Sequence, residues 1–331
     1  MSPVDVLVAG HVCLDLIPAS ARPLRPEPGS LTAVGPLAMR VGGCVGNTGL
    51  ALAALGVGVE ALATIGEDAL GDIVLADLAA GGVEVRGIRR SSVAATSYSV
   101  VLEAPGQDRA FLHHTGANDL FAADDLLAAR APVVHVGYPS LLPALIADEG
   151  RALGTVLADV RAGGSVTSLD LAVVDRASAA GAANWDAILA TVLAGTDVVS
   201  TSWDELCSAW GVAPEWSRDA VEQVAARLLD LGAAVVAVSS GERGTLLATA
   251  GAERLAAAGK LLARDAGAWA DRLLWTVPEP VEEIVTTTGA GDASTAGLLA
   301  GIVRGLGPDE CLALAGATAR AVLTGGRAEQ S

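Results

Sequence analysis

The stretch Val4-Asp5-Val6-Leu7-Val8-Ala9-Gly10 decides the fold class of this 331-residue chain. Apart from Asp5 it is a continuous apolar run that stops at a glycine, which is typical of a short strand buried on both faces. Similar runs follow at 132–137, 166–170, 197–200 and 234–238, and stretches with helical spacing lie between them at 123–130, 185–194 and 219–231. Strands that alternate with helices predict an α/β fold, with a mostly parallel sheet covered by helices on both sides.

Two segments interrupt this alternation. Residues 16–40 are rich in proline, and residues 94–114 alternate large apolar side chains with small or polar ones around a turn at Gly106-Gln107-Asp108. We interpret both segments as antiparallel strands that form a small β lid over one end of the main sheet. No linker or repeat indicates a second unit, so residues 1–331 are expected to form a single domain. The Ala-rich segment 251–280 is interpreted as a helix followed by an extended stretch.

Composition narrows the classes of function. The net charge of −17 and the lack of any basic run argue against a nucleic-acid partner, because such binding relies on clustered Lys and Arg. The four cysteines are scattered, which indicates neither a zinc site nor a disulfide framework. No charge-free run is long enough to span a bilayer and no targeting segment is recognisable, so we expect no membrane association and a cytoplasmic location.

The glycine loop Thr286-Thr287-Thr288-Gly289-Ala290-Gly291-Asp292 carries the sharpest chemical signal. It follows the β-like pair Ile284-Val285 and precedes a helical stretch at 293–304, so free N–H groups of a first helical turn are expected to face the loop and favour an anion. A carboxylate beside a bound phosphate can accept the proton of an attacking hydroxyl. The simpler interpretation is that Asp292 only caps the helix.

A second glycine cluster, Val41-Gly42-Gly43-Cys44-Val45-Gly46-Asn47, precedes a helical run at 48–55. The Asn47 amide can both donate and accept, which suits a sugar hydroxyl, although an N-terminal helix cap is the alternative. Asp15 follows the first strand, where open α/β sheets place ligand-binding residues.

Together these motifs resemble the ribokinase-like (PfkB) carbohydrate kinase family over nearly the whole chain. Gly10 with Asp15, the cluster from Gly42 to Asn47, and the sequence from Ile65 through Gly71 to Val83 match the N-terminal half of that family, and the loop at 289–292 matches its C-terminal signature. The resemblance implies a three-layer α/β/α sandwich with a lid, and an enzyme that transfers phosphate from ATP to a hydroxyl, expected to be primary, of a sugar or sugar-like molecule with the help of Mg²⁺.

Site residues carried over from the resemblance fall into four groups. It implies that Asp292 is the general base and that Gly289, Ala290 and Gly291 form the anion hole for the transferred phosphoryl group. Substrate would be held by Asp15, Gly42, Gly43 and Asn47, and nucleotide by Ser202, Ser239, Gly241, Gly244 and Thr288. Glu205 matches an acidic residue that organises Mg²⁺, with water in between.

The chain also departs from the family pattern. The motif usually written Asn-x-x-Glu reads Ser202-Trp203-Asp204-Glu205, and Thr286 stands where the C-terminal signature usually begins with Asp. In relatives that a monovalent cation activates, this second stretch helps to form the ion site, so a monovalent cation is a doubtful cofactor here. Ser294 and Ala172 replace an aromatic residue and an asparagine that are common in the family.

Other functions remain to be weighed. No G-x-x-x-x-G-K-[ST] motif is present, which excludes a P-loop kinase, and the first strand does not lead into the G-x-G-x-x-G of a nicotinamide-binding fold. A nucleoside kinase of the same fold and a non-catalytic protein that binds a sugar or nucleotide stay open. The resemblance also allows a homodimer through the lid. His113 and His114 could touch substrate, but neighbours on a strand face opposite ways and so do not easily form one metal site. We interpret them as surface or lid-packing residues.

Overall fold

The computed structural model describes residues 3–24, 27–103, 110–281 and 284–326. Thirteen strands occur in these ranges: β1 Val6–Gly10, β2 Cys13–Pro18, β3 Leu37–Gly42, β4 Val59–Gly66, β5 Glu84–Ser91, β6 Tyr98–Leu102, β7 Ala110–His114, β8 Val133–Gly137, β9 Val166–Asp170, β10 Val198–Ser202, β11 Val235–Ser239, β12 Thr245–Thr249 and β13 Leu273–Thr276. The α-helices of the same ranges are α1 Gly43–Ala54, α2 Ala69–Ala80, α3 Pro143–Ile146, α4 Arg151–Ala162, α5 Trp185–Leu193, α6 Trp203–Trp210, α7 Arg218–Asp230, α8 Ala252–Ala256, α9 Lys260–Ala263, α10 Ala266–Trp269, α11 Ala290–Arg304 and α12 Pro308–Leu323.

The main sheet has nine strands in the order β13-β12-β11-β10-β9-β8-β1-β4-β5. Neighbouring strands are parallel from β11 to β5, and only the pairs of β12 with β11 and β13 are antiparallel. The chain builds outward from β1 in one direction through β4 and β5, and from β8 in the other direction. The strand order therefore reverses between β1 and β8, which is the point where open α/β sheets bind ligands beyond the carboxyl ends of their strands.

Helices cover both faces of this sheet, as the alternation of strand and helix predicted. Along β1, Leu7 and Ala9 join a core with α4, α5, α6 and α7, whereas Val6 and Val8 join a second core with α1, α2, α11 and α12. Because successive strand residues point to opposite faces, a strand buried on both sides is apolar throughout. This explains why the first strand shows no polar alternation.

A smaller sheet with the order β3-β2-β6-β7 stands apart from the main one and corresponds to the predicted lid segments. The pairs β2/β3 and β6/β7 are antiparallel, and β2/β6 is parallel. Cross-strand partners place Asp15, Ser99 and His113 on one face, because Asp15 is opposite Ser99 and Ser99 is opposite His113. The turn predicted at 106–108 lies outside the described residues.

Several element boundaries predicted from the sequence are wrong. In 123–130 only a 3₁₀ turn at Ala123–Leu126 forms, because the backbone bonds span three residues rather than four: the Leu127 N–H donates to the Asp124 carbonyl, and the Ala129 N–H donates to the Leu126 carbonyl. In 251–280 the expected helix is split into α8, α9 and α10, followed by β13. Gly259 separates α8 from α9, and a Cβ at this position would lie 2.3 Å from the Val166 nitrogen.

Both glycine-led helices begin earlier than expected. Helix α1 begins at Gly43 rather than Thr48, and α11 begins at Ala290 rather than Ala293. Ile284 and Val285 form no strand; instead the Val285 N–H donates to the Leu323 carbonyl at the end of α12. As a consequence Asn47 and Asp292 belong to helices rather than to the loops before them.

Across the described part of the chain, none of the helices combines the length and the apolar character needed to cross a membrane.

Candidate active site

The two glycine-led helices, α1 and α11, pack against each other, and side chains from both meet at the Asp292 carboxylate. Asn47 Nδ2 donates to Oδ2 over 2.9 Å, and the Thr48 hydroxyl donates to Oδ1 over 3.1 Å. A third donor, the Tyr138 hydroxyl, lies 2.7 Å from Oδ2. The two motifs singled out in the sequence, 245 positions apart, thus form one site.

Burial has the largest effect on the pKa of Asp292, whose exposed fraction is 4%. It raises the pKa of this carboxyl to about 7, while the hydrogen bonds from Tyr138, Asn47 and Thr48 act in the opposite direction. A general base is most effective when its pKa lies near the working pH. The Asp292 carboxyl therefore has the acidity and the fixed position that a base needs.

Asp292 lies where two cavities meet. One, of about 100 Å³, is lined by Ser202, Ser239 and Gly291 among others, and the other, of about 980 Å³, by Asp15, Gly43 and Asn47 among others. Both include Tyr138, Glu205, Gly289 and Asp292 in their walls. Two residues expected to hold nucleotide, Ser202 and Ser239, thus lie on one side of the Asp292 carboxylate, and three residues expected to hold substrate lie on the other.

The loop before α11 offers backbone N–H groups to the smaller cavity. Gly289 is the N-cap, with a φ of +79°, and a Cβ there would lie 3.3 Å from Cγ of Asn47. The Ala290 N–H donates to the Thr287 carbonyl over 3.3 Å, whereas within the described residues no acceptor faces the N–H groups of Gly291 and Asp292. Since the first N–H groups of a helix lack intrahelical partners and lie at the positive end of its dipole, these two can bind an anion.

The glycines of the first cluster have different reasons to be glycine. A Cβ on Gly42 would lie 2.2 Å from Oδ2 of Asp15, so Gly42 makes room for that carboxylate and does not itself line either cavity. Gly43 has a φ of +75° and lies against His11, and it lines the larger cavity. Asp15 is 6% exposed on β2 and also lines that cavity.

The structure rules out a helix cap as the role of Asn47, and its binding of a sugar hydroxyl stays a prediction. The N-cap of α1 is Gly42, so Asn47 lies inside the helix and cannot cap it. Its amide instead donates to Asp292 and faces the larger cavity. Asp292 likewise is no N-cap, because Gly289 occupies that position of α11.

The residues expected to bind nucleotide are only partly brought together. Ser202 and Ser239 line the smaller cavity at the ends of β10 and β11, and Thr288 lines the larger one. Gly241 and Gly244 lie in the turn between β11 and β12 and line neither cavity. A Cβ on Gly244 would lie 2.0 Å from the Thr276 carbonyl oxygen, so packing against β13 is enough to require this glycine.

Ser202 and Glu205 form a capping box at the start of α6. The Ser202 hydroxyl accepts from the Glu205 N–H over 3.2 Å, and Glu205 Oε2 accepts from the Ser202 N–H over 2.7 Å. The serine that replaces the family's asparagine therefore has a clear structural role. Burial raises the pKa of Glu205, while hydrogen bonds from Ser202 and Thr201 lower it.

The donor set beside this box suits Mg²⁺. Asp170, Glu205 and Asp292 all line the smaller cavity, and burial together with the other two carboxylates raises the pKa of Asp170 well above its usual value. A divalent cation would relieve this repulsion. In the described ranges no three His, Cys, Asp or Glu side chains are placed to hold a metal ion together. Mg²⁺ usually keeps several waters and is bound through one or two carboxylates and phosphate oxygens.

Sequence reasoning missed Tyr138 and His11. His11 Nε2 lies 3.2 Å from His113 Nε2, the His113 ring contacts the Ser99 hydroxyl over 3.0 Å, and both histidines line the larger cavity. The contact with Ser99 agrees with the lid packing expected for His113, while a contact of His113 with substrate stays a prediction. His11 and Tyr138 directly follow β1 and β8, so the rule that ligands bind beyond strand ends at the switch point could have found them.

Three residues that depart from the family pattern, Thr286, Ser294 and Ala172, lie in or beside the site. The Thr286 hydroxyl accepts from the Thr288 N–H over 3.1 Å and stabilises the loop in place of an Asp side chain. Ser294 lines the smaller cavity, where a larger aromatic side chain would reduce the space. Ala172 lines the larger cavity.

A doubly covered parallel sheet, a separate small sheet and a buried carboxylate at a helix N-terminus define the ribokinase-like class of α/β proteins. The sequence matches the family described as pfkB family carbohydrate kinase over residues 4–331. The chain belongs to this family.

Solved structures with the same fold include three of particular interest. Arabidopsis thaliana ribokinase complexed with ribose and ATP is 21% identical, with 98% of this chain and 93% of that chain covered and a TM-score of 0.73. A putative ribokinase II from E. coli in complex with ATP and Mg²⁺ is 22% identical, with 98% and 96% covered and a TM-score of 0.73. A Methanocaldococcus jannaschii nucleoside kinase is 18% identical, with 98% and 93% covered and a TM-score of 0.68.

Proposed function

We propose that this protein transfers the γ-phosphoryl group of ATP to a primary hydroxyl of a sugar or sugar-like small molecule. The observation that supports this most strongly is the position of Asp292: a buried carboxylate at a helix N-terminus, between a small cavity and a large one. The large cavity would take the acceptor and the small one the transferred phosphoryl group.

Asp292 acts as the general base. As the acceptor oxygen attacks the γ-phosphorus, its proton passes to the carboxylate, a new O–P bond forms, and the bond to the bridging oxygen breaks to release ADP. Charge on the transferred group is stabilised by the N–H groups of Gly291 and Asp292, with Gly289 and Ala290 shaping the anion hole. Such a reaction depends mainly on positioning and electrostatics.

The remaining site residues hold the two reactants. Asp15, Asn47 and Gly43 bind hydroxyl groups of the acceptor in the larger cavity, to which Thr288 also contributes. Ser202 and Ser239 lie on the nucleotide side. Mg²⁺ would be held beside Asp170 and Glu205 through water, where it would neutralise phosphate charge.

Magnesium-dependent ADP formation with a panel of pentoses, hexoses, keto-sugar acids and nucleosides tests the proposal. We expect turnover with at least one sugar, and a nucleoside as the preferred acceptor would identify a nucleoside kinase of the same fold. Thermal unfolding of the same samples reports binding independently, because a ligand that binds the folded state raises its stability. Stabilisation by a sugar or nucleotide without turnover on any acceptor would overturn the proposal in favour of a non-catalytic binding protein.

A further inference from the structure

Tyr138 has a backbone conformation that requires an explanation. It follows β8 at the switch point of the sheet and has φ 65° and ψ 48°, in the left-handed region. Non-glycine residues seldom adopt this region, and the next residue, Pro139, disfavours helical conformations in the residue before it. Such conformations persist where the surroundings impose them, and they cluster at functional sites.

The surroundings fix Tyr138 from several sides. Its N–H donates to the Asp170 carbonyl at the end of β9 over 3.0 Å, and its own carbonyl accepts from the Leu141 N–H over 2.9 Å. The ring centroid lies 5.8 Å from that of His11. The result is that the hydroxyl lies 2.7 Å from Oδ2 of Asp292.

This hydrogen bond makes the two oxygens of Asp292 unequal. Oδ2 accepts from both Tyr138 and Asn47, whereas among the described residues Oδ1 accepts only from Thr48. Because each carboxylate oxygen has about two acceptor positions, Oδ2 is saturated and Oδ1 keeps one position.

We propose that Tyr138 is the positioning residue of the catalytic base: its hydroxyl saturates Oδ2 of Asp292, so that Oδ1 takes the proton from the acceptor hydroxyl. This inference rests on the proposed function of Asp292. The left-handed backbone of Tyr138 then has a function, because the turn into Pro139 orients the ring towards the Asp292 carboxylate.

The same hydrogen bond favours the ionised form of Asp292, and its loss should raise the pKa of that carboxyl. Other titratable groups near the pair are Asp170, Glu205, Cys13, Cys44 and His11. Burial raises the pKa of both thiols and lowers that of His11, so these three are neutral near pH 7. Asp170 and Glu205 are present in both Tyr138→Phe and the wild type, so their effects on the Asp292 pKa cancel when the two proteins are compared.

Tyr138→Phe removes only the hydroxyl, and Tyr98→Phe is a matched control, since the chain has two tyrosines and Tyr98 lines neither cavity. In a pH profile of kcat we expect the acid limb of Tyr138→Phe to move up by about one pH unit, with roughly tenfold lower kcat below the limb and recovery at alkaline pH. The KM for ATP should stay unchanged, and Tyr98→Phe should follow the wild type. An equal loss of kcat at every pH, or an unchanged profile, would contradict the inference.

A readout that does not depend on turnover separates this inference from the proposed function. With ¹³C in the aspartate side-chain carboxyls, the Asp292 signal is the one lost in Asp292→Asn, and its titration can be followed by NMR. We expect its pKa to be higher in Tyr138→Phe than in the wild type. An unchanged titration would refute the role of Tyr138 even if Asp292 is the base, whereas normal turnover by Asp292→Asn would refute the base and leave the hydrogen bond measurable.

Discussion

Asp292 is buried enough to lose much of its acidity, yet it receives three hydrogen bonds that hold it in one orientation. An ionised carboxyl at this position costs free energy, so the folded state keeps the proton to a higher pH than the unfolded chain does. Between about pH 4 and 7 the native state therefore binds more protons through this group, and its contribution to the free energy of unfolding falls as pH rises. A residue that costs stability in its ionised form is expected at a functional site.

The pH dependence of turnover follows from the same acidity. Only ionised Asp292 can accept the proton, so we expect kcat to rise about tenfold per pH unit below a midpoint near the Asp292 pKa of about 7, and to level off above it. Steady-state kinetics at saturating substrate measure this directly. A kcat that stays constant down to about pH 5 would show that no group of this acidity limits turnover.

Gly289 and Gly291 allow a matched test of the anion hole. Gly289 has a φ of +79° with Asn47 nearby, whereas a Cβ on Gly291 meets nothing within 4 Å. We expect Gly289→Ala to lower the free energy of unfolding by about 1 kcal/mol or more. Gly291→Ala should fold at least as stably, because alanine is the better helix former, but should lose kcat because the methyl group would enter the space of the phosphoryl group. Full kcat in Gly291→Ala would show that close approach of a phosphate at this position is not required.

Sequence patterns identified Asp292 and Asn47 but not the contacts that define their roles. Glycines before a helix are visible in the sequence, and they led to both residues. Tyr138 and His11 gave no such signal, because their importance comes from the adjacency of β1 and β8, which are more than 100 positions apart. Gly244 came from the family resemblance; its packing against the Thr276 carbonyl is enough to require a glycine, and its role in nucleotide binding stays a prediction.

At the scale of a single element, the N-terminal cap of α6 also fixes the position of an acidic side chain in the site. Its N-cap Ser202 and the N3 residue Glu205 bind each other's backbone N–H groups, and this fixes the Glu205 carboxylate at the cavity. The capping residue therefore influences both stability and the position of the acid beside the expected Mg²⁺.

Ser202→Ala should lower the free energy of unfolding by about 0.5–2 kcal/mol, as the loss of a serine cap usually does, and should raise the Mg²⁺ concentration needed for half-maximal activity. Ser217→Ala is the matched control, because Ser217 caps α7 by accepting from the Ala220 N–H over 3.1 Å and lines neither cavity. Denaturant unfolding and magnesium titration of both variants give the comparison. Equal magnesium dependence in the two would mean that the Ser202 hydroxyl does not help to place Glu205 for the metal.

The apolar runs at 4–10, 132–137, 166–170, 197–200 and 234–238 were correctly predicted as strands, because strands buried on both faces are apolar throughout. Strands β4, β5, β12 and β13 were not recognised, since they carry polar residues or lie at the edges of the sheet. The helix expected at 251–280 failed for a different reason: its alanine content favours helix, but Gly259 must pack tightly against the backbone of residues 165 and 166. Tertiary contacts override local propensity in such segments.

At the scale of the whole molecule, the lid sheet has a face turned away from the cavity. Backbone pairing aligns Met39, Leu16, Val100 and Leu112 in one row across it. Met39 is 47% exposed and Leu112 is 59% exposed. An exposed apolar row of this kind is typical of an interaction surface and supports a homodimer through the lid. The homodimer stays a prediction.

We expect the wild type to sediment as a dimer and Leu112→Lys to sediment as a monomer, because a lysine in the row would have to be desolvated in the interface. Val212→Lys, at a position 55% exposed just beyond α6, is the control and should leave the dimer intact. A monomeric wild type, or a dimer that Leu112→Lys does not change, would contradict this assembly.

The central claim is that Asp292 accepts the proton during phosphoryl transfer, and the turnover of Asp292→Asn tests it most directly. Asp72→Asn is the control, because that carboxylate pairs with Arg90 at the surface, in the first turn of α2, and lines neither cavity. We expect Asp292→Asn to bind an ATP analogue as the wild type does and to lose about 10²–10⁴-fold in kcat, the usual contribution of a positioned base, while Asp72→Asn keeps its activity. A kcat of Asp292→Asn within a few-fold of the wild type would contradict the account.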